Sequence, residues 1–169
     1  MNSEFPKLAF VALGSNLGDS RQIIQDAMTR LQTFSNQPIL KSSLWQTSPV
    51  DCPPGSPKFV NAVVGFAPKK NDTPESLLQK LCTLEKEFGR MPKKEWNEPR
   101  PLDLDLIAFG AEMRNLPDLI LPHPRAHLRR FVLQPLGEIA PELILPEQSK
   151  TVSQLLAGLL DTETVTRLA

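Results

Sequence analysis

In residues 102–109, Leu-Asp-Leu-Asp-Leu-Ile-Ala-Phe, apolar and acidic side chains alternate with the two-residue period of a β-strand. A strand there puts Leu102, Leu104 and Leu106 on one face, against a core, and Asp103 and Asp105 side by side on the other. Two ionised carboxylates so placed repel each other. Magnesium, which takes one or two carboxylates together with substrate phosphate oxygens, relieves that repulsion. An isolated pair of this kind is more often a solvated acidic face, so its surroundings decide.

The rest of the chain frames that strand. Residues 8–13 read as a buried strand that leaves through the turn Gly14-Ser15-Asn16-Leu17-Gly18-Asp19. Asp19 is a helix N-cap with Gln22 three residues on, and Ile23, Ile24, Ala27, Met28 and Leu31 repeat on one helical face. Residues 39–45 and 59–66 are a second and a third strand, joined by a proline-rich loop over 49–57. Thr73, Pro74 and Glu75 start a second helix, with a capping hydroxyl, a proline at the first position and an acid facing the dipole. Leu77, Leu81, Leu84 and Phe88 form its buried stripe before Gly89 closes it. The order β-α-β-β-α-β, ending in the acidic strand, matches an α+β ferredoxin-like arrangement with both helices on one face of the sheet. Beyond Gly110, a proline-rich extension of short apolar pieces should wrap the sheet and end in a helix over 151–160. The expectation is one domain over 1–169, with a core over about 8–146 and a helical tail over about 147–169.

Composition narrows the partners. Lys plus Arg and Asp plus Glu both number 19, so no bulk field draws the chain to nucleic acid or to a membrane surface. The apolar run 8–13 is far below the roughly 18 residues that a membrane span needs, and no basic stretch with an apolar one behind it opens the sequence. Cys52 and Cys82 lack metal-ligand spacing, and a reducing compartment is the default. The expectation is a cytoplasmic monomer acting on small molecules.

Against that neutral total, cations are concentrated in two places. Arg90, Lys93, Lys94 and Arg100 lie in the loop before the acidic strand, and Arg125, Arg129 and Arg130 lie downstream. Guanidinium groups clamp phosphate oxygens in pairs, and cations spread along a polyphosphate offset the charge that phosphoryl transfer builds up. Either cluster alone would read as a solvated basic loop; two of them flanking an acid pair point to a metal-nucleotide site. No P-loop or dinucleotide-binding glycine pattern occurs. His123 and His127 are four apart, a spacing compatible with zinc, but no third ligand is evident. His123, between Pro122 and Pro124, reads better as a held hydrogen-bond donor to phosphate.

Several spaced motifs resemble those of the hydroxymethyl-dihydropterin pyrophosphokinases over about residues 10–146. They are Leu13-Gly14-Ser15-Asn16-Leu17-Gly18, Gln46-Thr47-Ser48-Pro49, Phe59-Val60-Asn61, Pro99-Arg100-Pro101-Leu102-Asp103-Leu104-Asp105, and Leu121-Pro122-His123 with Arg129-Arg130-Phe131. The resemblance implies transfer of pyrophosphate from ATP to the hydroxymethyl group of 6-hydroxymethyl-7,8-dihydropterin, a step of tetrahydrofolate biosynthesis. It implies that Asp103 and Asp105 hold two Mg2+ ions and act in catalysis with Arg90 and Arg100. Contacts to ATP would come from Leu78, Glu85, Arg90, Lys93, Lys94, Trp96, Arg100, Leu106, Ile120, His123 and Arg129. The pterin would meet Thr47, Ser48, Val50, Asn61, Trp96 and Asp103 and lie between Phe59 and Phe131, and the loops 49–57 and 90–99 would close over the site.

The chain departs from the family in the basic loop. Where the family runs Trp-Gly-Pro-Arg, this sequence has Trp96-Asn97-Glu98-Pro99-Arg100; Pro92 stands at a common arginine position, with Lys93 and Lys94 beside it, and Pro124 at a common tyrosine. A binding module without chemistry would share the fold but leave the acids and arginines without a role. A nucleotidyl transferase would need a polynucleotide groove, against which zero net charge argues.

Overall fold

The computed structural model describes residues 7–48, 53–92, 94, 98–160 and 164–168. Strand β1 (Ala9–Ser15) runs into helix α1 (Ser20–Leu31), where Asp19 is the N-cap and its carboxylate accepts from the Gln22 amide at 3.4 Å. Strands β2 (Leu40–Lys41), β3 (Trp45–Thr47) and β4 (Phe59–Phe66) follow, then helix α2 (Pro74–Glu87) and strand β5 (Asp103–Phe109). Thr73 caps α2 in a reciprocal box with Ser76, a device that contributes about 1 kcal/mol, and Gly89, at φ 92°, turns the chain out of the helix.

The main sheet has the order β5-β1-β4-β3-β8 with β2 also paired to β4, where β8 is Val165–Arg167, and every pairing is antiparallel. The side chains of β1, β4 and β5 alternate between two apolar layers. On one face Val11, Leu13, Ala62, Val64, Leu104 and Leu106 pack with Ile24, Ala27 and Leu31 of α1 and Leu77, Leu81 and Leu84 of α2. On the other, Phe10, Val63, Ile107 and Ala108 meet helix α3 (Arg130–Ile139) through Val132, Leu133 and Leu136, and helix α4 (Val152–Ala157) through Val152. So α1 and α2 share a face as expected, while α3 and α4 cover the reverse one. Among the described residues, no helix is long and apolar enough to cross a membrane.

Three elements differ from the sequence expectation. The single strand over 39–45 is split, because register shifts by one residue between the β2 and β3 pairings to β4, a bulge. At the break the Ser42 amide donates to Val63 O, and the Val63 amide donates to the Ser42 hydroxyl at 2.9 Å, so a side chain fills a ladder position. Second, α3 forms although Pro135 lies inside it, since burial of Val132, Leu133 and Leu136 outweighs one lost backbone bond. Third, among the described residues the tail is helical only over Val152–Ala157 and carries β8 beyond it, and strands β6 (Arg114–Leu116) and β7 (Leu119–Leu121) make a hairpin within the proline-rich part.

Candidate active site

Antiparallel partners project to the same face, so a row of side chains can be read across the sheet. Asp103 of β5 faces Gly14 of β1, Gly14 faces Asn61 of β4, and Asn61 faces Trp45 of β3. Asp105 lies opposite Ala12 in the same way. The two acids therefore stand on the α3 side of β5, while Leu104 and Leu106 enter the core under α1 and α2. Asn61 is buried, and its Nδ2 donates to Thr47 Oγ1 at 2.8 Å, which fixes the amide's orientation and leaves its oxygen free of that bond. A Cβ at Gly14 would lie 3.3 Å from Asn61 Oδ1 and 3.6 Å from the Phe59 ring, so a side chain there would press on both.

The basic loop is anchored to this floor. The Arg90 guanidinium donates through Nη1 to Asp103 Oδ1 at 2.6 Å, to Glu85 Oε2 at 2.8 Å and to Leu102 O at 3.3 Å. Glu85 Oε2 also accepts from the Leu104 amide at 2.8 Å, so this acid joins α2, β5 and Arg90; with its side chain only 15% exposed, it is no surface residue. Burial pushes the Glu85 carboxyl above its ordinary value. Arg100 lies with Nη2 3.6 Å from Asp103 Oδ2 and its guanidinium 5.1 Å from the Phe59 ring centre, while its buried Nε has no partner among the described residues. Its backbone is held by Asn16: the Arg100 amide donates to Asn16 Oδ1 at 2.9 Å and Arg100 O accepts from the Asn16 amide at 3.1 Å. Asn16, almost fully buried, is a site residue that sequence reasoning placed only within a turn.

Asp105 is deeply enclosed though not sealed from solvent, and burial together with the neighbouring Asp103 charge pushes its carboxyl up to about 7. Beside it lies a cavity of about 240 Å³ whose apolar wall includes Leu78, Leu106, Pro117 and Ile120 and whose polar groups are Asp105, Asp118 and His123. Four residues expected to contact ATP, Leu78, Leu106, Ile120 and His123, thus come together here. Asp118 and Pro117, on the β6–β7 turn, were not anticipated. Burial, with Arg129 and Arg125 adding to it, lowers the His123 imidazole to about 4, so the ring is neutral near pH 7. The Arg125 amide donates to His123 Nδ1 at 3.2 Å, which leaves the ring proton on Nε2 as a donor.

Phe131 lies in the first turn of α3, and the Arg129 guanidinium sits 5.4 Å from its ring centre. Ser48 is exposed at the end of β3, and Lys94 is paired through its backbone amide, which donates to Glu98 Oε1 at 3.0 Å. Val50, Lys93 and Trp96 lie outside the described residues. Among the described residues no three of His, Cys, Asp and Glu gather as a metal cluster, so His123 and His127 find no third zinc ligand there.

Fold and site together are an α+β sheet covered by helices on both faces, with carboxylates and guanidinium groups gathered at the end of β5. Residues 10–141 match the model of a protein family described as 7,8-dihydro-6-hydroxymethylpterin-pyrophosphokinase. A 2-amino-4-hydroxy-6-hydroxymethyldihydropteridine pyrophosphokinase of Pseudomonas aeruginosa is 39% identical over 150 residues, 88% of this chain and 90% of that protein. One of the same name from Synechocystis is 36% identical over 157 residues, 91% of this chain and 78% of that one. The chain therefore belongs to the 7,8-dihydro-6-hydroxymethylpterin-pyrophosphokinase family. Among solved structures, Plasmodium falciparum HPPK-DHPS with pteroate superposes with a TM-score of 0.69 at 14% identity, covering 92% of this chain and 45% of that one. This chain spans less than half of that structure, and the likeness shows the fold alone.

Proposed function

We propose that this protein transfers the pyrophosphoryl group of ATP to the hydroxymethyl group of 6-hydroxymethyl-7,8-dihydropterin, releasing AMP. The observation that carries the reading is the row Asp103, Gly14, Asn61. It sets an amide suited to a heterocycle edge and a carboxylate suited to a phosphate-bound cation on one face, two strands or about 10 Å apart. The cavity beside Asp105 then takes the adenine, and the triphosphate runs between the two.

Asp103 and Asp105 fit as holders of Mg2+, two ions in this reading. Magnesium needs only one or two carboxylates when phosphate oxygens and water complete its shell, and the raised Asp105 carboxyl marks a pair that wants a cation. When bound, the ions would neutralise polyphosphate charge and make the attacking hydroxyl more acidic. The protein's own groups do the rest. Arg90, Arg100 and Arg129 hold phosphate oxygens, with Lys93, Lys94 and Trp96 as further substrate contacts. His123 donates its Nε2 proton in a hydrogen bond to phosphate and stays neutral. Asn61, Thr47, Ser48 and Val50 read the pterin edge, and Phe59 and Phe131 sandwich the ring. Water is excluded, so the polyphosphate is not lost to hydrolysis. In the same reading the sheet is a ferredoxin-like core with a proline-rich extension, and residues 1–169 act as one cytoplasmic, monomeric domain.

The test is AMP release by the purified protein with magnesium and ATP. AMP that forms only when the reduced pterin is present supports the reading; pyrophosphate as product means nucleotidyl transfer, and pterin binding without AMP means a binding module. A finer check lies at Asn61 and Gly14. Asn61→Ala and Gly14→Ala should each raise the pterin Kd about tenfold with the ATP Kd unchanged, the first by losing a buried polar contact, the second by pressing on Asn61 and Phe59. Equal losses for both ligands would show that the pterin lies elsewhere.

A further inference from the structure

We propose that Glu138, in the last turn of α3, is a positioning residue for the pterin, fastening the helix that carries Phe131 to the strand that carries Thr47. One carboxylate receives three donors from a single stretch of chain. Glu138 Oε1 accepts from Trp45 Nε1 at 2.6 Å and from the Ser43 amide at 3.1 Å, and Oε2 accepts from Ser43 Oγ at 2.8 Å. Ser43 lies in the bulge between β2 and β3, where the ladder to β4 is interrupted and its amide needs an acceptor. Trp45 pairs with Asn61, and two residues on Thr47 accepts from the Asn61 amide.

The placement is not explained by the helix. A carboxylate in the last turn opposes the macrodipole, so Glu138 disfavours α3 on its own account. Its contacts all lead to the β3 side. Seven residues earlier on α3, about 10 Å along its axis, stands Phe131, while Phe59 pairs with Thr47 across the ladder. The bonds of Glu138 therefore fix how α3 lies over β3 and β4, and with it the gap between Phe131 and Phe59. The cavity beside Asp105 is built from α2, β5 and the β6–β7 turn, which Glu138 does not touch. This separates the two ligands.

The inference rests on the pterin reading above, and the experiment keeps the two apart. Pterin and ATP dissociation constants, KM and kcat are measured for the wild type, Glu138→Ala, Glu138→Gln and Trp45→Phe. The expected result is a rise of about tenfold in pterin Kd and KM for Glu138→Ala, the effect of losing a charged acceptor, with kcat and the ATP Kd within about twofold of wild type. Glu138→Gln, which keeps one acceptor oxygen, should recover part of the loss, and Trp45→Phe, which removes one donor and leaves the helix intact, should show a smaller rise. The Trp45 indole N–H resonance should move upfield in both Glu138 variants. Equal loss of pterin and ATP affinity, or an unchanged pterin Kd in Glu138→Ala and Trp45→Phe, overturns the proposal. If Glu138→Ala does not fold, Trp45→Phe and Ser43→Ala decide by the same criterion. A wild type that binds no pterin removes the underlying reading as well.

Discussion

Asp105→Asn is expected to lower turnover by about three orders of magnitude, roughly 4 kcal/mol of transition-state stabilisation, and at the same time to make the metal-free protein more stable at pH 8. The first effect follows from losing an anionic ligand at the centre of the proposed metal pair. The second follows from linkage. In the folded metal-free protein the Asp105 carboxyl titrates at about 7, against 3.8 when unperturbed. A raised folded-state value means that the folded chain holds a proton which the unfolded chain has released, so stability is fully present below about pH 4 and falls as pH rises through about 7. Asparagine has no proton to lose and removes that slope. Near pH 3.5 the variant and the wild type should melt together; at pH 8, in the presence of chelator, the variant should gain about 4 kcal/mol, on the order of 10 °C in Tm. Magnesium should then raise the Tm of the wild type and leave that of the variant almost unmoved. Calorimetry at the two pH values, with and without magnesium, checks all three points, and near-normal turnover or a pH-independent shift would remove Asp105 from the metal pair.

The acid pair could be read from the sequence because everything it needs is local: strict alternation fixes a strand and its two faces, and β5 obeys it. The caps of α1 and α2 were legible for the same reason, since Asp19 and Thr73 act on amides three residues away. What escaped depends on partners distant in the chain. The break between β2 and β3 is completed by Glu138, 95 residues from Ser43, and no pattern within 39–47 announces it. Asn16 looked like part of a turn, yet its side chain anchors Arg100, 84 residues on. Helix α3 was hidden by Pro135 and Gly137, which locally argue against a helix that tertiary burial nevertheless stabilises. Asp118 carried no signal at all, being one exposed acid that acquires meaning only when the β6–β7 turn brings it to the cavity beside His123.

Arg90 and Arg100 should fail differently, although both are arginines of one loop. Arg100 is fixed from both sides, by Asn16 on its backbone and by Phe59 under its guanidinium, and its buried Nε lacks a partner among the described residues. A donor held so firmly, with unspent capacity, suits a phosphate oxygen, and Arg100→Ala should lower turnover about 10²–10³-fold, the range for loss of one preorganised donor to a developing charge. Arg90, by contrast, spends its Nη1 on Asp103, Glu85 and Leu102 O. In that position it is itself the counter-cation of Asp103, and in the proposed mechanism it gives up that carboxylate oxygen when a divalent ion binds and turns to the triphosphate. In that mechanism Arg90→Ala removes a competitor along with a phosphate ligand. The expected outcome is a turnover loss like that of Arg100→Ala, together with Mn2+ binding to the nucleotide-free protein that is tighter than in the wild type, whereas Arg100→Ala should leave Mn2+ affinity nearly unchanged, since its contact with Asp103 is 3.6 Å. Paramagnetic titration of Mn2+ without ATP separates the two, and weaker Mn2+ binding in Arg90→Ala would mean that Arg90 orients Asp103 for the ion rather than standing in for it.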